Sequence, residues 1–217
     1  MNKSMLDRPI IHSFMAAAHH RRYDGKHTIV HAGDTPRMLH LIIRGSVSVL
    51  LEDESGREMV LAYLNVGDFF GEMCLFPEEP ACTSIIRTRG PSLIAEIGRE
   101  AFHAFSREQP EILFEITRQT ARRLHHASSR LRDFHFLDVA GRLARTLVRL
   151  SREPDAQAHP DGAVVHITLM ELARIVSCSR ERAGHAMKRL EERGLVRVSG
   201  RNILVPHGER VASLARQ

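Results

Sequence analysis

The chain has 217 residues, 43% apolar and 26% charged, which suits one large or two modest domains with real cores and excludes wholesale disorder. Its apolar runs, such as Leu39–Ile43 broken by His40, are too short for a membrane span, and the opening Met-Asn-Lys-Ser-Met-Leu-Asp-Arg-Pro lacks a secretory apolar stretch, so the cytoplasm is expected. The net charge of +5 is uneven: residues 1–139 carry −1 and residues 140–217 carry +6, which points the second half toward a polyanion.

The segment "IIHSFMAAAHHRRY" (10–23) predicts a short amphipathic helix. From His27 to Ile97 the chain reads as β-rich runs cut by turn residues. Gly33, Gly45, Gly56 and Gly67 recur at spacings of 12, 11 and 11, and Glu54-Ser55-Gly56 makes a hairpin tip. That rhythm predicts an antiparallel roll or sandwich, here taken as a domain over 1–109.

Pro110 opens a long helix, because proline's missing N–H costs nothing in a first turn. Leu113, Ile116, Thr120, Leu124, Ala127, Leu131 and Phe134 follow at steps of three and four. Such a stripe fits either a helix lying on its own domain or a parallel dimer seam. Its narrowness among Arg122, Arg123, Arg130 and Arg132 favours the seam, so 110–137 is read as dimerisation helix and hinge. Residues 134–138 are the expected hinge, with Asp138 as N-cap of a helix over 139–151. The Pro-, Asp- and Gly-rich 152–162 reads as a surface loop.

In the third region, 138–217, Thr168 and Glu171 form a capping box before the stripe Leu172, Ile175 and Val176. Ser177-Cys178-Ser179 is a turn, with Ser179 capping a second helix that buries Ala183, Met187 and Leu190. The opposite face carries Arg180, Glu181, Gly184, His185 and Lys188, and a hairpin tipped by Ser199-Gly200 adds Arg197 and Arg201. Two short helices with a polar and basic second one, then a wing, form a layout that enters a major groove. A protein-interaction winged helix has the same outline; the local basic excess, arginine in all but Lys188 of 14 residues, favours DNA.

These residues resemble a known family. "IIRGSVSVLLEDESGREMVLAYLNVGDFFGEM" (42–73), "FLDVAGRLARTL" (136–147), "REPDAQAHPDG" (152–162) and "ELARIVSCSRERAG" (171–184) are similar to segments of the CRP/FNR transcription regulators, cyclic-AMP receptor protein branch. The resemblance runs in order over nearly the whole chain. It implies an α+β protein: an N-terminal cyclic-nucleotide-binding β-roll (a double-stranded β-helix or jelly roll), a long dimerisation helix and a C-terminal winged helix-turn-helix. It further implies a homodimer on palindromic double-stranded DNA with TGTGA-like half-sites, and contact with RNA polymerase through the 152–162 loop, at Ala158, His159 and Gly162. Thr168, Ser179, Arg180, Glu181, Gly184, His185, Lys188 and Arg201 are the implied DNA-binding residues, with His185 where relatives carry an arginine.

The same resemblance places the effector at Gly71, Glu72 and Met73, at Cys82 and Thr83, and at Arg123, Ala127 and Ser128 of the long helix. Glu72 meets a ribose hydroxyl and Arg123 the glutamate and base. Two positions depart from cyclic-AMP binders. Cys82-Thr83 stands where an Arg-Ser pair neutralises the phosphate, and a thiol cannot balance that buried charge. Ala127-Ser128 replaces a Thr-Ser pair that faces adenine. "GEM" (71–73), "IIRTR" (85–89) and the altered phosphate seat resemble a cyclic di-GMP-responsive sub-branch, with Arg87 and Arg89 alternating onto one strand face. Cyclic di-GMP is therefore ranked ahead of cyclic AMP, and no effector at all stays open.

An enzyme reading fails on chemistry. Metal-dependent oxygenases on such rolls use an HxH pair, which is absent, and His27, His31 and His40 are too scattered for a metal set. Cys74, Cys82 and Cys178 form no CxxC pair, so neither a disulfide framework nor a zinc cluster is expected. A nucleotide-sensing module without DNA function is the remaining rival.

Overall fold

The computed structural model describes residues 5–35, 37–54, 56–76, 81–153 and 156–206. They form two compact units, 1–125 and 126–217, each considered separately below.

The first unit holds helix α1 (Pro9–Ala17), strands β1 (His19–Tyr23), β2 (Thr28–Val30), β3 (Met38–Arg44), β4 (Val47–Glu52), β5 (Glu58–Leu64), β6 (Phe69–Phe70), β7 (Ile85–Thr88) and β8 (Ser92–Gly98), and helix α2 (Arg99–Glu108). Two four-stranded antiparallel sheets make the roll, in the orders β1-β8-β3-β6 and β2-β7-β4-β5. Strand alternation sorts the side chains of the first sheet to two cores. Leu39, Leu41, Phe69, Ala95 and Ile97 face Phe14 of α1, Phe102 of α2, and Ile112 and Ile116 of the long helix α3 (Glu111–Phe136). Ile42, Phe70 and Ile94 face Val47, Leu64 and Ile86 of the second sheet. Neighbouring Phe69 and Phe70 thus serve opposite cores. The four rhythmic glycines all adopt positive φ. At Gly45 the space is closed as well: a Cβ there would lie 2.3 Å from the Ser92 hydroxyl.

The second unit contains the C-terminal turns of α3, then α4 (Val139–Leu150), β9 (Gln157–His159), β10 (Gly162–His166), α5 (Leu169–Ile175), α6 (Arg180–Glu192), β11 (Arg197–Ser199) and β12 (Asn202–Pro206). Its sheet runs β11-β12-β10-β9. Leu143 and Leu147 of α4, Leu172 and Ile175 of α5, and Ala183, Met187 and Leu190 of α6 are buried.

Four sequence expectations need correction. The first helix ends at Ala17; the following His-His-Arg-Arg-Tyr is β1, paired with β8 from His19↔Glu96 to Tyr23↔Ser92. The hinge is shorter than 134–138, since α3 runs to Phe136 and the Asp138 carboxylate already accepts the Gly141 N–H at 2.8 Å. The stretch 152–162 is not simply a loop: β9 pairs with β10 in a hairpin turned at Pro160-Asp161. Ile116 belongs to the core of its own unit, at 7% exposure, and so drops out of the proposed seam. Ser55 of the first hairpin tip lies outside the described residues.

Candidate effector pocket and nucleic-acid interface

The segment assigned to the effector begins where β6 ends. Gly71 takes φ +79°, and a Cβ on it would lie 2.5 Å from the Met38 carbonyl and 3.0 Å from His40 Nδ1, so only glycine fits. It caps a short 3-10 turn, Glu72–Leu75, closed by the Cys74 N–H on the Gly71 carbonyl at 3.0 Å. Arg99 Nε donates to the Cys74 carbonyl and ties the turn to α2. Met73 is exposed and Cys74 buried; burial pushes the Cys74 thiol up to about 11.

Glu72 and Arg123, paired in the sequence reading, come together at 3.4 Å. Arg123 also donates to the Phe69 carbonyl and, at 3.4 Å, to Gln119 Oε1. Gln119 was missed. It is 1% exposed, accepts the Phe69 N–H at 2.8 Å and donates to the Gly67 carbonyl at 3.0 Å and to Glu115 at 3.2 Å. The buried Glu115 carboxylate further receives Arg8 and Arg118, which hold its pKa below the usual range against the opposing effect of burial. Glu115, Gln119 and Arg123 are four residues apart, one turn each, so α3 grips the strand that leads into the effector turn. Polar residues at that spacing beside Ile112 and Ile116 were the available signal.

Cys82 exchanges two backbone hydrogen bonds with the 33–34 turn: it accepts from Gly33 N–H at 2.7 Å and donates to the Asp34 carbonyl at 2.8 Å. Burial raises its thiol pKa, and the Asp34 carboxylate adds to the rise. The position where the resemblance implies a phosphate arginine thus carries a thiol whose pKa is raised by burial and by the Asp34 carboxylate. Thr83 is exposed. Arg87 is engaged by Glu58 at 2.7 Å, and the Arg89 guanidinium lies 4.2 Å over the Tyr63 ring. Ala127 and Ser128 are exposed on the next turn of α3.

On the other unit the predicted caps are all present. Thr168 and Glu171 form the capping box, so the Thr168 hydroxyl already serves the helix end, and the Ser179 hydroxyl accepts the Arg182 N–H at 3.3 Å. Arg180, Glu181, His185 and Lys188 share the exposed side of α6. Gly184 instead faces α5: a Cβ on it would meet Leu169 Cδ2 at 3.6 Å. Arg201 is exposed at the wing, whose tip glycine Gly200 has φ +61°. In the β9–β10 hairpin Ala158 is exposed and His159 half-buried. Gly162 is buried, and a Cβ on it would lie 2.1 Å from the Val205 carbonyl.

The exposed seam of α3 comprises Leu113, Thr120, Leu124, Ala127, Leu131 and Phe134, with Leu124 and Leu131 at 68% and 73% exposure. Among the described residues no group of His, Cys, Asp and Glu could hold a metal ion, and no helix is long and apolar enough to cross a membrane.

A roll with a glycine-capped effector turn, joined by one long helix to a winged helix-turn-helix, defines a class of ligand-responsive regulators. Two family models match: the cyclic nucleotide-binding domain over residues 20–109 and the Crp-like helix-turn-helix domain over 141–214. The chain belongs to the CRP family of transcription regulators and is not an enzyme. It is 46% identical to the cAMP-activated global transcriptional regulator Vfr of Pseudomonas aeruginosa, covering 88% of this chain and 91% of Vfr. It is 41% identical to the cAMP-activated regulator CRP of Salmonella typhimurium, covering 91% and 94%. Among solved structures it is similar to the c-di-GMP responsive global regulator CLP of Xanthomonas campestris: TM-score 0.82, 38% identity, 92% of this chain and 99% of that one.

Proposed function

We propose that the protein is a homodimer that binds palindromic DNA with TGTGA-like half-sites under control of a cyclic nucleotide in the roll, with cyclic di-GMP preferred to cyclic AMP. The observation that carries the effector ranking is Cys82 beside Asp34. A cyclic-AMP phosphate seated there would meet a thiol and a carboxylate, and a buried anion without a cation is costly. The similar regulator CLP is c-di-GMP responsive, and cyclic di-GMP carries two phosphates rather than one. Arg123 and Arg89 are the cations this reading assigns to them. The exposed 3/4-spaced seam of α3 supports the dimer, the basic side of α6 supports DNA, and Ala158 and His159 on the β9–β10 hairpin are the surface assigned to RNA polymerase.

Calorimetry of the full chain against cyclic di-GMP and cyclic AMP, followed by a gel shift with each, tests the reading. Micromolar cyclic-AMP binding that enhances DNA affinity contradicts the ranking. Cys82→Arg should raise cyclic-AMP affinity. A second reading, an effector-independent regulator, is favoured by one observation: Glu72 and Arg123, like Glu58 and Arg87, already neutralise each other within the chain. Under it neither nucleotide gives heat, and the native protein shifts DNA unaided.

A further inference from the structure

The C-terminus of α5 precedes the recognition helix by one turn, so whatever fixes that end fixes the approach of α6. A helix leaves its last carbonyls without internal partners. Here the Cys178 N–H reaches back to the Ala173 carbonyl at 3.0 Å across Ser177 at φ +54°, the 6→1 bond of a Schellman turn. That bond leaves the carbonyls of Ile175 and Val176, at the negative end of the α5 dipole. Both are taken by guanidinium groups from outside the helix-turn-helix. Arg130 Nη2, on α3, donates to the Ile175 carbonyl at 2.8 Å, and Arg142 Nε, on α4, donates to the Val176 carbonyl at 3.2 Å. Arg142 also donates to the Leu137 carbonyl at 3.1 Å and stacks 4.9 Å over Phe134, which holds it to the end of α3. Arg130 is half-buried and flanks the seam, one turn from Ala127 and from Phe134.

We infer that Arg130 is a positioning residue for DNA readout: by capping the end of α5 it sets the turn into α6, and it makes the last turns of α3 a working part of the DNA-binding unit. The inference rests on the DNA-binding reading above. Arg130 need touch no base; it acts through the carbonyl it holds. Losing it frees the turn to sample orientations in which Arg180 and His185 no longer meet their base pairs together. Non-specific attraction to phosphate, set by the surface charge of α6 and the wing, should change little.

The test is fluorescence anisotropy of the full chain on a selected two-half-site duplex and on a random duplex, at several salt concentrations. Arg130→Met removes the donor and keeps length. It should lose tenfold or more on the selected duplex, keep its random-duplex affinity within about twofold, and keep the salt slope of specific binding. Arg130→Lys, which restores a charged donor, should recover most of the loss. Equal specific affinity in native and Arg130→Met overturns the inference. So does an equal loss on both duplexes with a salt slope smaller by about one, the mark of a phosphate contact. Should Arg130→Met not fold, Arg130→Gln is read the same way: native-like discrimination in it overturns the inference. If the native chain itself does not bind duplex, the DNA-binding reading fails instead, which is a separable result.

Discussion

The effector turn and the recognition helix differ in how their functional side chains are occupied. Around Glu72 the polar groups answer one another: Glu72 to Arg123, Arg123 to Gln119 and Phe69, Gln119 to Glu115, and Glu115 to Arg8. On α6 the exposed Arg180, Glu181, His185 and Lys188 need no such partners for the fold, because caps and buried alanine, methionine and leucine hold the helix. Under the proposed function, a ligand at Glu72 and Arg123 competes with pairs already made, while DNA at α6 meets side chains presented to solvent. A substitution among the linked groups of the first disturbs its neighbours, whereas an exchange such as an arginine for His185 leaves the rest of α6 in place.

The largest expected effect is on the proposed dimer. Leu124→Arg places a charge at an exposed seam position on both copies. Sedimentation should show a monomer, and specific DNA affinity should fall by about 10²–10⁴-fold as the two half-sites lose their linkage. A sedimenting dimer rejects the seam. Next, core deletions should separate the two units. Phe69 is buried against Phe14 with ring centroids 5.0 Å apart, and Phe69→Ala should cost about 3–5 kcal/mol. Leu143→Ala in the other unit should cost about 2–5 kcal/mol. Calorimetric scans should show each variant lowering a different transition; one shared transition lowered equally by both would mean the units unfold together.

Most of the architecture was legible from local pattern. Glycine rhythm, the capping box, the Asp138 and Ser179 caps and the α6 stripe are decided by neighbours in sequence, and each appears where the residues place it. β1 was misread because His-His-Arg-Arg-Tyr has little strand character of its own; its pairing with β8, from His19↔Glu96 to Tyr23↔Ser92, makes it one. The β9–β10 hairpin was hidden for a different reason: its Pro160-Asp161 turn reads as loop composition, although such residues also turn a local hairpin. At the candidate effector site, resemblance singles out Glu72, Cys82 and Arg123, of which Glu72 and Arg123 come together in the structure. The polar ladder could not be singled out this way, since Gln119 matters through backbone groups at Gly67 and Phe69 that no side-chain pattern reports. Ile116 shows the converse: seam spacing cannot say which partner covers a residue.

A smaller effect concerns His40, a buried ring at 6% exposure stacked on Phe70 with centroids 4.5 Å apart. Burial lowers its pKa from 6.5 to about 4, although Glu96, 3.9 Å away, pulls the other way. Tyr23 donates to the same Glu96, so that carboxylate is shared. Unfolding returns the ring to water. Between pH 6.5 and 4 the unfolded chain then binds a proton that the native chain does not. The contribution is complete above pH 6.5 and is lost as pH falls toward 4, by about 3 kcal/mol at most. His40→Phe removes the titration. Denaturant unfolding of the roll from pH 7 to 4 should show a shallower decline in the variant; identical slopes would mean His40 is not held neutral.

The smallest effects are at single base pairs. Arg180 opens α6, where N-terminal residues of a recognition helix reach base edges, and its fork suits the O6 and N7 acceptors of guanine. Arg180→Ala should cost about 1–3 kcal/mol per half-site and relax selection at one position. Lys188 lies two turns on, exposed, with Glu192 at 3.9 Å, an exposed pair too weak to hold it from phosphate. Lys188→Ala should weaken all sequences alike and reduce the salt slope by about one. His185 lies between them, shorter than arginine and without a bidentate fork. Binding-site selection with native protein, Arg180→Ala and His185→Arg orders the three. His185→Arg should sharpen preference at one base pair and leave the rest of the motif alone. If the native protein is already as selective there, His185 makes no difference to readout. If Arg180→Ala leaves the motif unchanged, α6 does not enter the groove by its N-terminus. The basic side of the helix would then serve only the backbone, because phosphate contacts hold a protein on DNA without telling one sequence from another.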